Sequence, residues 1–327
     1  MSGLESYQNT AASSDEYKKA ISYHQLGLNY CNQGDYENAI QYYEQGLEIL
    51  QKVLPSNHPD LATLYNNIGL VYDDMGKYSR ALSSVEKALE IRQETFPSNH
   101  PNIAQSHRNI GMIYDKIGEY SKALSSHEKA LKIREETLPS NHPSMAASYN
   151  NIGNVYDNMG EYMRALLFYE KALEIREKTL PSNHHLLATS YNNIGSVYAS
   201  TRDYSKALSF FEKALKIYQE VLPPNHPYLA TSYNNIGIVH EKTGEYLTAL
   251  SCFEKALKIQ QKTLPSNHPS MATSYNNIGN VYYNMGEYSR ALSYHERALD
   301  ILQRALPPTH RNIKTVKESI EMVKKKL

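Results

Sequence analysis

The stretch Tyr65-Asn66-Asn67-Ile68-Gly69 decides how this chain folds, because it returns. The same five residues stand at Tyr149–Gly153, Tyr191–Gly195, Tyr233–Gly237 and Tyr275–Gly279. The glycine alone recurs at Gly27, Gly69, Gly111, Gly153, Gly195, Gly237 and Gly279, a spacing of 42 residues without drift. A fixed period of this length means a stacked array in which each unit touches only its neighbours. The 327 residues are therefore read as added units, not as one enlarged core.

Starting each unit at its proline, the chain tiles as 59–100, 101–142, 143–184, 185–226, 227–268 and 269–310, with a degenerate first unit at 17–58. Residues 311–327 read as a C-terminal capping helix, the first helix of an eighth unit. Residues 1–16, rich in Ser, Asn and Thr, read as a flexible N-terminal tail. Within 59–100, Pro59 suits a first helical position, with Asn57 and Ser56 as capping candidates. Leu61, Leu64, Tyr65, Ile68, Val71 and Tyr72 recur at three- and four-residue steps, which makes one apolar stripe on a helix over Asp60–Met75. Gly76 supplies the left-handed stop. A second helix starts near Tyr78, turns Ala81, Leu82, Val85, Ala88, Leu89 and Ile91 inward, and ends before Pro97. Gly69, Ala81 and Ala88 let the helix backbones approach, and tyrosines fill the space around them.

Composition narrows the function. Lys plus Arg and Asp plus Glu both number 34, so the chain as a whole has no general attraction for nucleic acid or an anionic membrane. Cys31 and Cys252 lie in repeats one and six, too far apart to bridge, which favours a reduced, cytoplasmic compartment. No 18-residue apolar run and no signal-peptide pattern is present. Histidines at His58, His100, His142, His184, His226, His268 and His310 recur once per unit. Repeats lie too far apart for these rings to share an ion, so they read as loop and cap residues and not as a metal site. No phosphate loop, nucleophile elbow or paired-Cys motif occurs. The expectation is a protein without catalytic residues, metal or cofactor, and without a small-molecule substrate.

Gly195, Tyr198, Ala207, Phe211 and Ala214 of repeat five resemble the tetratricopeptide repeat (TPR), with Tyr191 where that family often has Trp. The 42-residue unit, with Asn57-His58-Pro59 between repeats, resembles the kinesin light chain subclass. The resemblance covers roughly residues 17–327. It implies an all-α fold, a right-handed superhelical solenoid of antiparallel helix pairs with seven repeats and a capping helix. It also implies a concave groove, lined by the first helices, that takes a peptide segment of a partner protein. The implied peptide-binding positions hold Asn66, Asn67, Asn150, Asn151, Asn192, Asn193, Asn234, Asn235, Asn276 and Asn277. In repeat three they hold Arg108 and Asn109.

An amide offers a donor and an acceptor, which suits an extended peptide backbone whatever its sequence. The same asparagines could instead bond neighbouring helices. Arg108, Lys116 and Lys242 are the basic groove candidates. Asp73, Asp74, Asp115, Asp157 and Glu241 are the acidic ones. The leading expectation is a non-catalytic protein-interaction scaffold. The alternatives are a kinesin light chain-like cargo adaptor, or the TPR regulatory region of a larger enzyme such as an ADP-ribosyltransferase. Residues 1–16 are too short for the heptad coiled coil that the kinesin light chain family carries before its repeats. Arg202 breaks the pattern, since it stands where the other repeats have the turn glycine.

Overall fold

The computed structural model describes the backbone of residues 2–327 and the side chains from Ser14 onward. Among the described residues there are helices and no strands. The helices fall in two compact units, residues 1–161 and 162–327.

The first unit holds α1 (Ser2–Asn32), α2 (Tyr36–Val53), α3 (Pro59–Asp74), α4 (Tyr78–Thr95), α5 (Pro101–Ile117), α6 (Tyr120–Thr137) and α7 (Pro143–Asn158). Each odd-numbered helix from α1 to α5 packs on the helix that follows it. The second helix of each pair then packs on the first helix of the next. The backbone of α1 begins at Ser2, where the sequence was expected to give a separate tail over 1–16. No proline interrupts 2–16, so a helix nucleated further along can extend backwards at one hydrogen bond per residue.

The second unit holds α8 (Tyr162–Thr179), α9 (His185–Ser200), α10 (Tyr204–Val221), α11 (Pro227–Thr243), α12 (Tyr246–Thr263), α13 (Pro269–Asn284), α14 (Tyr288–Ala305) and α15 (Arg311–Lys324). α9 pairs with α10, α11 with α12 and α13 with α14, and α15 covers α14.

The recurring glycine sets the distance within each pair. A Cβ on Gly237 would lie 2.7 Å from the ring of Phe253, and one on Gly111 would lie 2.7 Å from the ring of His127. The ring sixteen residues on thus packs flat against bare backbone, a contact that no other residue type permits. Ala81, Ala123, Ala207, Ala249 and Ala291 are fully buried on the second helices. His127 and His295 take the ring position and are buried in the core. They are 3% and 1% exposed, and His295 Nδ1 lies 3.0 Å from Asn276 Oδ1.

The helix starts correct one local expectation. The cap is not Asn57 or Ser56 but the histidine itself. His58 Nδ1 accepts from the Asp60 N–H at 3.2 Å, and each of the other six recurring histidines caps its first helix in the same way. The imidazole reaches the same orphan donor that a short Asn or Ser side chain would satisfy. His184 keeps this geometry although His185, and not proline, follows it.

Candidate peptide-binding faces

The first helices of the first unit talk to one another across a spacing of 43 residues. Asn109 Nδ2 donates to Asn66 Oδ1 at 2.9 Å, Asn67 Nδ2 lies 2.9 Å from His24 Nε2, and Lys116 Nζ lies 2.8 Å from Asp73 Oδ2. Asn158 Nδ2 donates to Asp115 and Tyr17 Oη donates to Asp60 at the same separation. Each bond joins a slot in one repeat to the slot one residue further along in the next.

Several expected contacts are therefore engaged inside the fold. Asn66 and Asn109 are 8% and 2% exposed and hold each other. Asp73 is 6% exposed and receives Lys116, whose own side chain remains 41% exposed. Arg108 is half-buried, burial lowers its pKa, and its Nη1 lies 3.5 Å from Asn109 Oδ1. Asn150 and Asn151 are also half-buried, and Asn151 Nδ2 is a buried donor with no partner.

The second unit uses the same slots differently. Asn192, Asn193, Asn234, Asn235, Asn276 and Asn277 are all half-buried on α9, α11 and α13. Asn276 is held by His295, and Asn234 Oδ1 accepts from Ser274 Oγ at 3.4 Å. Among the described residues, Asn192, Asn235 and Asn277 make no side-chain hydrogen bond, and Asn192 Oδ1 is buried without a donor. Lys242 is 54% exposed and stands 3.8 Å from Glu241, which also receives Asn284 Nδ2 at 3.2 Å. Burial pushes the Glu241 carboxyl up, against the smaller opposite pull of Lys242 and Asn284.

A second set of polar contacts was not foreseen. Arg92 Nη1 donates to Ser106 Oγ at 2.7 Å, Arg134 Nη1 to Ser148 Oγ at 2.6 Å and Arg176 Nη1 to Ser190 Oγ at 2.6 Å. Each guanidinium also reaches a carbonyl near the start of the next first helix. These arginines are 7–9% exposed, and burial lowers their pKa values. The same slot holds Gln260 against Ser274 further on. The signal in the sequence was an Arg fourteen residues before a Ser, in three successive repeats.

Antiparallel helix pairs, repeated with this register and offering polar slots on their first helices, define a helical-repeat binding module. A tetratricopeptide repeat family model matches residues 18–94, 75–136, 144–220 and 228–304, and the chain belongs to that family. It is 26% identical to a kinesin light chain-like protein of nearly identical TPR-like repeats from Podosopora anserina, over 63% of this chain and 97% of that one, with a TM-score of 0.55. BtubC from P. vanneervenii is 22% identical over 72% of this chain and 95% of that one, with a TM-score of 0.61. The quorum sensor NprR from B. thuringiensis is 18% identical over 88% of this chain and 77% of that one, with a TM-score of 0.71. The last two likenesses are of fold alone. No curated protein matches the chain. Among the described residues no helix is long and apolar enough to cross a membrane.

Proposed function

We propose that this chain is a non-catalytic scaffold that binds an extended segment of a partner protein on its first-helix faces. The observation that carries this reading is the open set of amides in the second unit. Asn235 and Asn277 repeat one slot on two successive first helices, and Asn192, one position earlier in its own repeat, has an Oδ1 that is buried without a donor. A buried polar atom left unmade costs about 1–3 kcal/mol, and a peptide backbone carries the complementary N–H and C=O groups in series. In the first unit the reading rests on Asn151, whose Nδ2 is a buried donor without a partner, whereas Asn67, Arg108 and Lys116 are held by His24, Asn109 and Asp73. Asn66 and Asn109 leave it, because they are occupied by each other. Lys242 supplies charge selectivity in the second unit.

A narrower form of this reading is a kinesin light chain-like cargo adaptor. The 42-residue unit and the 26% identity to a kinesin light chain-like array support it. The test is affinity capture from a lysate with wild type and with a variant carrying Asn192→Ala, Asn235→Ala and Asn277→Ala. Loss of specific captured proteins from a variant with wild-type circular dichroism is the expected result. An unchanged capture profile from the folded variant overturns the reading.

A further inference from the structure

The second helices present a different surface. In every repeat, three side chains of the second helix stand 18, 21 and 25 residues after the recurring glycine, at one helical face. In repeats one, two, four and seven these positions mix signs, and ion pairs form within them: Lys52–Glu48, Lys87–Glu90, Lys178–Glu174 and Arg304–Asp300. Repeats three and five also carry an acid there, Glu136 and Glu220. Repeat six alone is uniformly basic, with Lys255, Lys258 and Lys262, all exposed.

These lysines line a cavity of about 440 Å³ in the second unit, between α10, α11 and α12. Its apolar floor is Leu222, Leu229 and Ile259, and no carboxylate lines it. Where the adjoining loops of other repeats have Ser98 or Ser266, this one has Pro224. Tyr233 stands at its side, bonded by Gln219 Nε2 at 3.0 Å, with Lys255 Nζ 5.4 Å from the ring centroid. Neither Lys258 nor Lys262 has an acidic partner among the described residues, and Glu254, four residues before Lys258, lies outside the lining. Leu247 lies on the same stripe of α12 two turns before Lys255. It is 75% exposed, where repeats two, three, five and seven have serine.

We infer that this lysine-rimmed cavity is a second binding site, which takes a short acidic run with an adjoining apolar side chain from a partner protein. The three cations are spread along about 10 Å of helix at 1.5 Å per residue, so they match charge distributed along a chain and not one compact anion. The apolar floor requires an apolar group beside that charge, which a nucleic acid backbone does not carry. None of the asparagine slots lines this cavity, so the site stands apart from the groove reading above.

The test is fluorescence anisotropy with a labelled peptide of one leucine followed by five glutamates. A glutamine analogue of the peptide and a labelled oligothymidylate serve as comparisons. The variant Lys258→Glu with Lys262→Glu recreates the Lys87, Glu90, Glu94 arrangement of repeat two, so it suits the fold. The expected result is salt-sensitive binding of the acidic peptide, weakened at least about tenfold in the double variant. The Asn192, Asn235, Asn277 variant keeps that binding, which separates this site from the groove. Equal binding by wild type and the folded double variant overturns the inference. So does no binding by wild type, or tighter binding of the glutamine peptide or the oligonucleotide.

Discussion

Among the described residues, Arg202 is the one non-glycine residue with a positive φ, 63°, at the turn where six other repeats place glycine. Its Cβ crowds the following carbonyl in that conformation, at a cost of about 1–2 kcal/mol. Glycine there would relieve the strain and add freedom to the unfolded chain, which offsets part of the gain. Arg202→Gly is therefore expected to raise stability by about 0.5–1 kcal/mol, read from the urea midpoint at constant m. A lower midpoint would mean that the arginine side chain supports the turn. The histidine caps belong to the same scale. Nδ1 must stay unprotonated to accept the N–H, so each cap is written as the tautomer with its proton on Nε2.

At the scale of elements, the Arg–Ser clip fastens one helix pair to the next. A buried guanidinium that keeps its acceptor is tolerated, and one that loses it is costly. In repeat five the slot holds Tyr218, and Ser232, fully buried, has a hydroxyl with no partner. The two serines should then respond in opposite ways to the same substitution. Ser190→Ala removes the shorter of the two hydrogen bonds of Arg176 Nη1, leaving the Leu186 carbonyl, and is expected to cost about 1–3 kcal/mol. Ser232→Ala removes an unpaired polar atom and is expected to be neutral or stabilising. Chemical denaturation of both variants decides it, and equal losses would sink the idea.

At the scale of the whole chain, stability should depend on pH through one buried histidine in each unit. Burial holds His127 down to about 4, with Arg108 and Arg134 adding to the effect, and burial alone holds His295 down to about 4. Unfolded, both return to the ordinary value near 6.5, so below that pH the unfolded chain binds more protons. Their contribution is complete above about 6.5 and is lost as pH falls through about 4, on the order of a few kcal/mol for each ring. Phe fills the same slot at Phe211 and Phe253. A variant with His127→Phe and His295→Phe is expected to lose less stability between pH 7 and 4.5 than wild type, measured by thermal unfolding. Parallel losses in the two proteins would place the acid sensitivity elsewhere.

The fold was legible because Gly, Ala and Tyr return at fixed positions, and each repeat uses them for the same packing. The asparagines were less legible for a physical reason. Asn66 and Asn192 occupy one slot in two repeats, yet Asn66 is bonded and Asn192 is open. The neighbour 43 residues on, one step beyond the period, is asparagine in both cases, Asn109 and Asn235, so the two differ in the geometry of the pair and not in its residue types. A reading slot by slot at 42 compares equivalent residues and so misses the pairs that touch.

That single-residue offset has a consequence for how such an array can lengthen. Each repeat must complement the copy that follows it, so tandem duplication succeeds only where a segment is complementary to itself. Residues 101–142 placed after themselves would set Asp115 against a second Lys116 and Arg108 against a second Asn109, an acid facing a base and a donor facing an acceptor. Residues 185–226 treated alike would set Ala199 against a second Ser200, with no bond to make. Some cassettes in this chain carry their own successor's docking code, and others need a different neighbour to supply it.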